Sequence, residues 1–194
     1  IGDIAYFTTT PNHIQEIQKL SGETEAEIHK IMIMGGSRIA IRISSYAPDN
    51  MAIKLIECDK QKSYKLAEYM NDIIIIQGDG RNVDLLKEEG IRDMDAFIAL
   101  TDSSETNILA CLTAKELGVK KTIAEVENIQ FISTAERLNI GNIINKKLLA
   151  ASRIFQLLLD EDSSNAKCLA LSDAEVVELV AKENSKITKA AVKD

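Results

Sequence analysis

Two kinds of apolar segment alternate along the chain. Short, nearly continuous runs such as IIII at 73–76 have the length of strands. Between them lie longer segments in which apolar residues recur with the spacing of one helix face. The predicted strands cover 31–34, 53–57, 73–77, 96–100, 122–126 and 142–144. The predicted helices cover 37–46, 60–71, 82–89, 104–117, 128–139 and 146–159.

This alternation favours one fold class. Strands that take turns with helices form a parallel sheet that is covered by helices on both faces. Near-continuous apolar runs such as IIII and KLIE are expected where a strand is buried on both faces, because a half-exposed strand alternates apolar with polar residues. We therefore predict an α/β fold of the doubly wound, Rossmann type, with a six-stranded parallel sheet in residues 31–160.

The two ends of the chain do not fit this unit. Residues 1–9 have the pattern of a strand, and Pro11 is suited to open a helix through HIQEIQKL. Near the other end KCLAL and EVVELVA resemble two strands, and KITKAAVKD begins an amphipathic segment. We expect residues 1–30 to be the end of a preceding small domain plus a linker, and residues 161–194 to be the start of another, both cut from neighbouring domains.

Charge and cysteine content exclude several classes of function. The formal net charge of −7 argues against nucleic acid as a partner, since a phosphate backbone needs a basic face. The three cysteines, Cys58, Cys111 and Cys168, form no CxxC pair and predict neither a zinc site nor a disulfide framework. A reducing cytoplasm fits this usage, and no apolar run is long enough to span a bilayer.

The first predicted strand runs into the glycine turn GGSRIA, which nearly spells the dinucleotide fingerprint G-x-G-x-x-G. Gly35 holds the first position, Ser37 stands at the second glycine and Ala40 at the third. Gly35 would make the tight turn, and Gly36 with the amides after it would present N–H groups to a pyrophosphate at the helix N-terminus. Arg38 would add positive charge.

Ser37 departs from the fingerprint at the position where a glycine leaves room for phosphates to touch the backbone. Its Cβ would weaken or displace a ligand, whereas its hydroxyl group is able to donate to a phosphate. A Rossmann turn that binds nothing therefore stays as an alternative to a nucleotide site.

Acidic residues follow the second and third strands. Glu57 ends the second strand 22 residues after Gly35, which suits a carboxylate that accepts hydrogen bonds from a ribose diol. The third strand ends in Gly78-Asp79-Gly80, at the crevice where an acid meets the adenine or its ribose. The alternative for Asp79 is that it caps the helix that starts at Asn82.

The fourth strand ends in ALTDSSETN, and Thr101 would face the same crevice. Capping explains most of this polar cluster, because Ser103 or Ser104 would cap the following helix. Glu105 or Thr106 would then lie in the first helical turn, where the helix dipole favours a negative charge.

Taken together, these segments resemble the RCK, or TrkA-N, domain family of Trk-type potassium-uptake regulators. The resemblance covers nearly the whole chain, and the run from 78 to 118 is its most specific part. It rests on GGSRIA, IECDK, QGDGRNVDLLKEEGI, DAFIALTDSSETNILACLTAKELG and KKLLAASRIF. Subunits of this family resemble two tandem units, each a Rossmann domain followed by a small C-terminal domain, so the resemblance assigns both flanks to such small domains.

The resemblance implies a cytoplasmic gating subunit, peripheral to the membrane, that binds NAD(H) or ATP/ADP, relays its occupancy to a membrane potassium transporter and does no chemistry. By position it assigns the phosphates to Gly35, Gly36, Ser37 and Arg38, the ribose to Glu57, the adenine end to Asp79 and Gly80, and the second nucleotide half to Thr101 and Asp102. It also counts Ile39 and Gly78 among the nucleotide-binding residues. Glu125 stands where many relatives place a basic residue near the phosphates, so binding is expected to be weak.

Two other functions remain open at the level of sequence. An NAD-dependent oxidoreductase would share the fold, but both histidines, His13 and His29, precede the Rossmann unit, and no Ser-His-Asp or Cys-His arrangement is apparent. We therefore expect no enzyme and no catalytic residues. A structural copy without nucleotide is the other alternative, favoured by Ser37 and Glu125.

The segment KKLLAASRIFQLLLD at 146–160 is apolar over most of its circumference. One sheet face cannot cover so wide a surface, and in the family this segment resembles the crossover helix that packs onto a neighbouring subunit. We predict a symmetric homodimer with an interface centred on Ile154, Phe155 and Leu158. The alternative is that further residues of the same chain cover the helix.

Overall fold

The computed structural model describes residues 13–21, 27–158, 163–168 and 175–179. Its centre is a six-stranded, all-parallel sheet with the order β3-β2-β1-β4-β5-β6. The strands are β1 (Lys30–Met34), β2 (Ala52–Glu57), β3 (Ile74–Gln77), β4 (Ala96–Ala99), β5 (Lys121–Glu125) and β6 (Asn142–Ile144). The strand order reverses between β1 and β4, as in the Rossmann fold.

Helices connect these strands and precede the sheet. They are α1 (Ile14–Ser21), α2 (Arg38–Tyr46), α3 (Lys60–Tyr69), α4 (Val83–Glu88), α5 (Ser104–Glu116), α6 (Ile129–Arg137) and α7 (Lys146–Leu158), with a short 3₁₀ helix at Ile91–Asp93. Each of α2 to α6 begins after an Asp, Asn or Ser whose side chain accepts a hydrogen bond from an amide of the first turn.

Apolar side chains fill both faces of the sheet. On one face Ile33 and Leu55 pack with Leu66 of α3 and Ala40 of α2. On the other face Phe97 belongs to a cluster that includes residues of α4, α5 and α6. The predicted doubly wound α/β fold is confirmed. Each strand is connected to the next strand along the chain through a helix, which is the crossover that parallel strands require.

The strand at the edge of the sheet corrects one expectation. The run IIII predicts a strand buried on both faces, but Ile74 is 58% exposed, and of β3 only Ile76 is buried. β3 pairs with β2 alone. Apolar continuity indicates a parallel strand but does not indicate its place in the sheet, so the prediction is wrong for Ile74.

Beyond α7, β7 (Ser163–Cys168) and β8 (Glu175–Leu179) form an antiparallel pair. The sequence predicted two strands here, although the first begins earlier than KCLAL. The predicted strand at 1–9, Pro11 and the segment KITKAAVKD lie outside the described residues, and the division into domains remains a prediction. In the described ranges, no helix combines the length and the apolar character needed to cross a membrane.

Candidate functional site

A cleft of about 330 Å³ lies at the carboxyl ends of β1, β2, β3 and β4. Open α/β sheets bind ligands at this edge, where the strand order reverses. The cleft is lined by Met34, Gly35, Ser37, Ile56, Glu57, Cys58, Lys62, Gly78, Asp79, Gly80, Arg81, Leu100, Thr101, Asp102, Ser103 and Thr106. Most of the predicted site residues therefore meet in one place.

Gly35 forms the turn between β1 and α2. Its φ of 97° lies in the left-handed region, which a side chain rarely tolerates. A Cβ at this position would lie 2.9 Å from the carbonyl oxygen of Leu100. The turn therefore passes directly over the end of β4. The amide of Gly35 donates to the carbonyl of Ile56 at 2.8 Å.

Ser37 lines the cleft and is the N-cap of α2. Its φ of −70° and ψ of 166° are extended backbone, so no glycine is required here. The hydroxyl oxygen accepts from the amide of Ala40 at 3.3 Å, which leaves the hydroxyl hydrogen available to another acceptor. The structure thus explains why a serine fits this position, while its contact with a ligand remains a prediction.

The carboxylate of Glu57 is bonded to several different residues around the cleft. The residue is only 4% exposed. Its Oε2 accepts from the amide of Gly36 at 2.9 Å and lies 2.8 Å from Nζ of Lys62, while its Oε1 accepts from the amide of Asp59 at 2.9 Å. Burial acts to raise the pKa of Glu57, but these partners outweigh it and the pKa lies below its ordinary value.

The predicted site residues of the glycine turn and the start of α2 divide into two groups. Gly35 and Ser37 line the cleft, whereas Gly36 is buried and directs its amide at Glu57. Arg38 and Ile39 line a separate apolar groove along α2. Proximity in sequence to the glycine turn therefore does not bring these two side chains into the cleft, because α2 turns them away from it.

At the end of β3, Asp79 pairs with Arg81. The guanidinium Nη2 lies 2.7 Å from Oδ2 and Nε donates to Oδ1 at 3.0 Å, and this contact lowers the pKa of Asp79. The side chain of Asn82 caps α4, so the alternative role of Asp79 as the cap is wrong. Gly80 is buried against Met34, where a Cβ would collide with the side chain.

Asn107 holds the loop after β4 in place. This fully buried side chain accepts from the amide and the hydroxyl of Thr101, at 3.0 and 2.6 Å, and donates to the carbonyls of Thr101 and Glu125. Ser103 caps α5 by accepting from the amide of Thr106. Glu105 and Thr106 lie in the first turn of α5, as predicted.

The cleft continues past Asp102 into a second, open cleft of about 610 Å³. Its lining residues are Asp102, Ser104, Glu105, Glu127, Asn128, Ile129, Gln130 and Lys147. The hydroxyl of Ser104 accepts from the amides of Glu127 and Asn128 at 3.0 and 3.2 Å. The start of α5 is thereby tied to the loop after β5.

Lys146 links two carboxylates beside this second cleft. Its Nζ lies 2.6 Å from Oε1 of the buried Glu125 and 2.9 Å from Oε1 of Glu127. Both partners raise the pKa of Lys146, Glu125 most strongly. The other oxygen of Glu125, Oε2, has no hydrogen-bond partner in the described part of the chain.

Sequence reasoning missed three residues that shape the site. Asn107 occupies the buried face of α5, and a polar residue among apolar neighbours at helical spacing was its signal. Asn145 donates to the carbonyls of Val126 and Glu127 and accepts from an amide in the first turn of α7. Its only signal in the sequence was that asparagine is a favoured N-cap residue. Lys62 gave no signal, because only the fold brings it to Glu57.

A family profile described as the TrkA-N domain matches residues 31–146, more than half of the chain. The chain belongs to the TrkA-N domain family. This confirms the resemblance seen in GGSRIA and in the run from 78 to 118. The match covers the six-stranded sheet apart from Lys30, and every residue that lines the two clefts except Lys147.

Curated relatives agree with this family membership. The Trk system potassium uptake protein TrkA of Vibrio alginolyticus is 30% identical over 195 residues, which are 99% of this chain and 43% of that protein. The chain thus spans less than half the length of the curated relatives it matches.

Two solved structures share the fold of this TrkA-N domain. The GsuK structure bound to ADP has a TM-score of 0.61 at 16% identity, over 70% of this chain and 36% of that chain. The GsuK channel bound to NAD has a TM-score of 0.56 at 15% identity, over 79% and 28%.

Proposed function

We propose that this TrkA-N domain is a cytoplasmic regulatory unit that senses an adenine nucleotide, NAD(H) or ATP/ADP, and passes its occupancy to a membrane potassium transporter. The observation that carries the proposal is the cleft at the reversal of strand order, with the Gly35 turn and the Glu57 carboxylate on its wall. Support comes from relatives named as Trk potassium uptake proteins and from GsuK structures bound to NAD and to ADP.

In this proposal the phosphates lie over Gly35 and Ser37 at the start of α2. The ribose lies beside Glu57, and the adenine lies between Gly78 and Gly80 with Asp79 at its edge. Ribose hydroxyls reach Glu57 only if they replace or share its bonds to Gly36 and Lys62. Binding is therefore expected to be weak, as the sequence also suggested.

We infer that the cleft binds its ligand without transforming it. The two acids at the carboxyl ends of β2 and β3, Glu57 and Asp79, are paired with Lys62 and Arg81. The hydroxyl of Thr101 donates to Asn107. A general base needs a free acceptor that is held at the reacting atom. Glu57, Asp79 and Thr101 are held in structural bonds, and the exposed carboxylate of Asp102 has no hydrogen bond in the described ranges that would orient it as a base.

We also propose that α7 joins two copies of the chain. Leu148, Leu149, Ile154, Phe155, Leu157 and Leu158 are all at least 45% exposed, so the described part of the chain leaves the helix uncovered. Exposed apolar surface of this extent on one helix favours a subunit contact. A second copy presents the same surface, and a two-fold axis brings the two helices together.

Calorimetric titration with NADH, NAD⁺, ATP and ADP tests the sensor proposal, with GTP as the control for the base. We expect saturable binding of at least one adenine nucleotide and no binding of GTP. Absence of binding by all adenine nucleotides would favour the structural copy without ligand. Turnover of NADH with candidate substrates by the full-length protein would instead favour an oxidoreductase.

A further inference from the structure

The helix that we propose as the dimer contact, α7, is attached to the domain at its first turn. Among its described side chains, all except Ser152 are exposed. The residue before the helix, Asn145, is by contrast only 5% exposed. Asn145 accepts from the amide of Leu148 and donates to the carbonyls of Val126 and Glu127. The start of α7 is therefore fixed to the loop that follows β5.

Two lysines in the first turn of α7 face the same region. Nζ of Lys146 lies 2.6 Å from the carboxylate of Glu125, at the end of β5, and 2.9 Å from that of Glu127. Lys147 is more exposed and lies 3.7 Å from Glu127. A helix N-terminus favours negative charge, but the first turn of α7 contains no acidic residue. Glu125 and Glu127 supply this charge from outside the helix.

Glu125 depends on Lys146 for the balance of its charge. It is only 2% exposed, and its Oε2 has no hydrogen-bond partner in the described part of the chain. Removing the cation from a buried ion pair is strongly destabilising, because it leaves an uncompensated charge. The ammonium group of Lys146 is therefore held at the end of β5, and the first turn of α7 is held with it.

We infer, on the basis of the proposed dimer, that Lys146 is a positioning residue for α7. Its bridge to Glu125 and Glu127 sets the direction of the helix and so presents the apolar face to the second copy. A helix that is held in one direction loses less freedom on association than a helix that is free to swing. Glu127 also lines the second cleft, so the bridge joins the wall of that cleft to the dimer helix.

The experiment measures the dimer dissociation constant by sedimentation, with urea unfolding as the check that each variant is folded. Lys146→Met removes the ammonium group, and Lys146→Arg retains a cation. The double variant Glu125→Leu/Lys146→Met removes the whole buried pair, so it leaves no lone buried charge and keeps the test valid if Lys146→Met does not fold. Lys147→Met is the matched control, because it makes the same change at the neighbouring, exposed lysine, whose ion pair contributes little.

We expect the wild type, Lys146→Arg and Lys147→Met to dimerise alike. In Lys146→Met and in the double variant the dimer dissociation constant should rise about ten-fold, because the helix must then be ordered on association. The amides of Leu148 and Leu149, which bond to Asn145, should exchange hydrogen faster in both variants.

A folded double variant that dimerises as tightly as the wild type overturns the inference. If the wild-type protein is a monomer, the proposed dimer itself fails, and hydrogen exchange then decides the role of Lys146. Faster exchange at Leu148 and Leu149 in the double variant than in Lys147→Met would support the positioning of α7 by Lys146, and equal exchange would contradict it.

Discussion

At the scale of single residues, Glu57 joins binding to local structure. We expect Glu57→Ala to weaken adenine nucleotide binding by about 1.5 to 3 kcal/mol, because it removes a charge-assisted acceptor. Glu89→Ala is the control, since it removes a carboxylate paired with Lys54 outside the cleft. Calorimetry on folded protein gives both values. If nucleotide still binds to Glu57→Ala with unchanged affinity, the proposed position of the ribose beside Glu57 is wrong.

Glu57 also predicts a dependence of stability on pH. Its pKa in the folded protein lies below the ordinary value of 4.5, so the fold favours the ionised form. The stabilisation from this carboxylate is complete above the ordinary value and is lost as the pH falls through the folded value. We expect the stability advantage of wild type over Glu57→Gln, measured by urea unfolding, to begin to shrink as the pH falls below the ordinary pKa of 4.5 and to be lost below the folded pKa. An advantage that grows with acidity contradicts the assigned hydrogen bonds.

Ser37 distinguishes obstruction of the phosphates from donation to them. Ser37→Gly should tighten nucleotide binding if the Cβ obstructs, and loosen it if the hydroxyl donates. Ser37→Ala keeps the Cβ and removes the hydroxyl, so it loosens binding only in the second case. Titration of both variants decides between the two, and no change in either shows that the turn does not touch the ligand. The lost helix cap costs a few tenths of a kcal/mol for glycine and about 1 kcal/mol for alanine.

At the scale of elements, Asn107 connects α5 to β4 and β5. Its removal takes a donor from the buried carbonyl of Glu125 and the acceptor from the amide of Thr101. We expect Asn107→Ala to lower the free energy of unfolding by about 2 to 3 kcal/mol. Asn71→Ala, at an exposed position before β3, should change it by less than about 0.5 kcal/mol. Urea unfolding of the two variants measures this difference, and equal values would contradict the role of Asn107.

At the scale of the whole molecule, the exposed face of α7 determines assembly. Phe155 is 46% and Leu158 76% exposed in the single chain. We expect the wild-type protein to sediment as a dimer and Phe155→Asp to yield monomers or insoluble protein, because the contact would bury a charge. Tyr69→Asp, on the exposed end of α3, should leave the dimer intact. A well-folded wild-type monomer at micromolar concentration would contradict the proposed interface.

The sequence by itself determined the order of strands and helices, because the spacing of apolar residues is a local property that each segment carries alone. It also determined the position of the turn, since only glycine suits the backbone of Gly35. Family membership followed from motifs that stay together along the chain. Glu57 and the Gly78–Gly80 segment could be placed at the carboxyl edge because parallel strands all end there.

The tertiary structure alone decided what these residues contact. Lys62 meets Glu57, Asn107 meets the carbonyl of Glu125, and Lys146 meets the Glu125 carboxylate only after strands and helices distant in sequence have packed together. The edge position of β3, and with it the exposure of Ile74, depends on which strands find neighbours. Pairing and packing of this kind are long-range, so no local period encodes them.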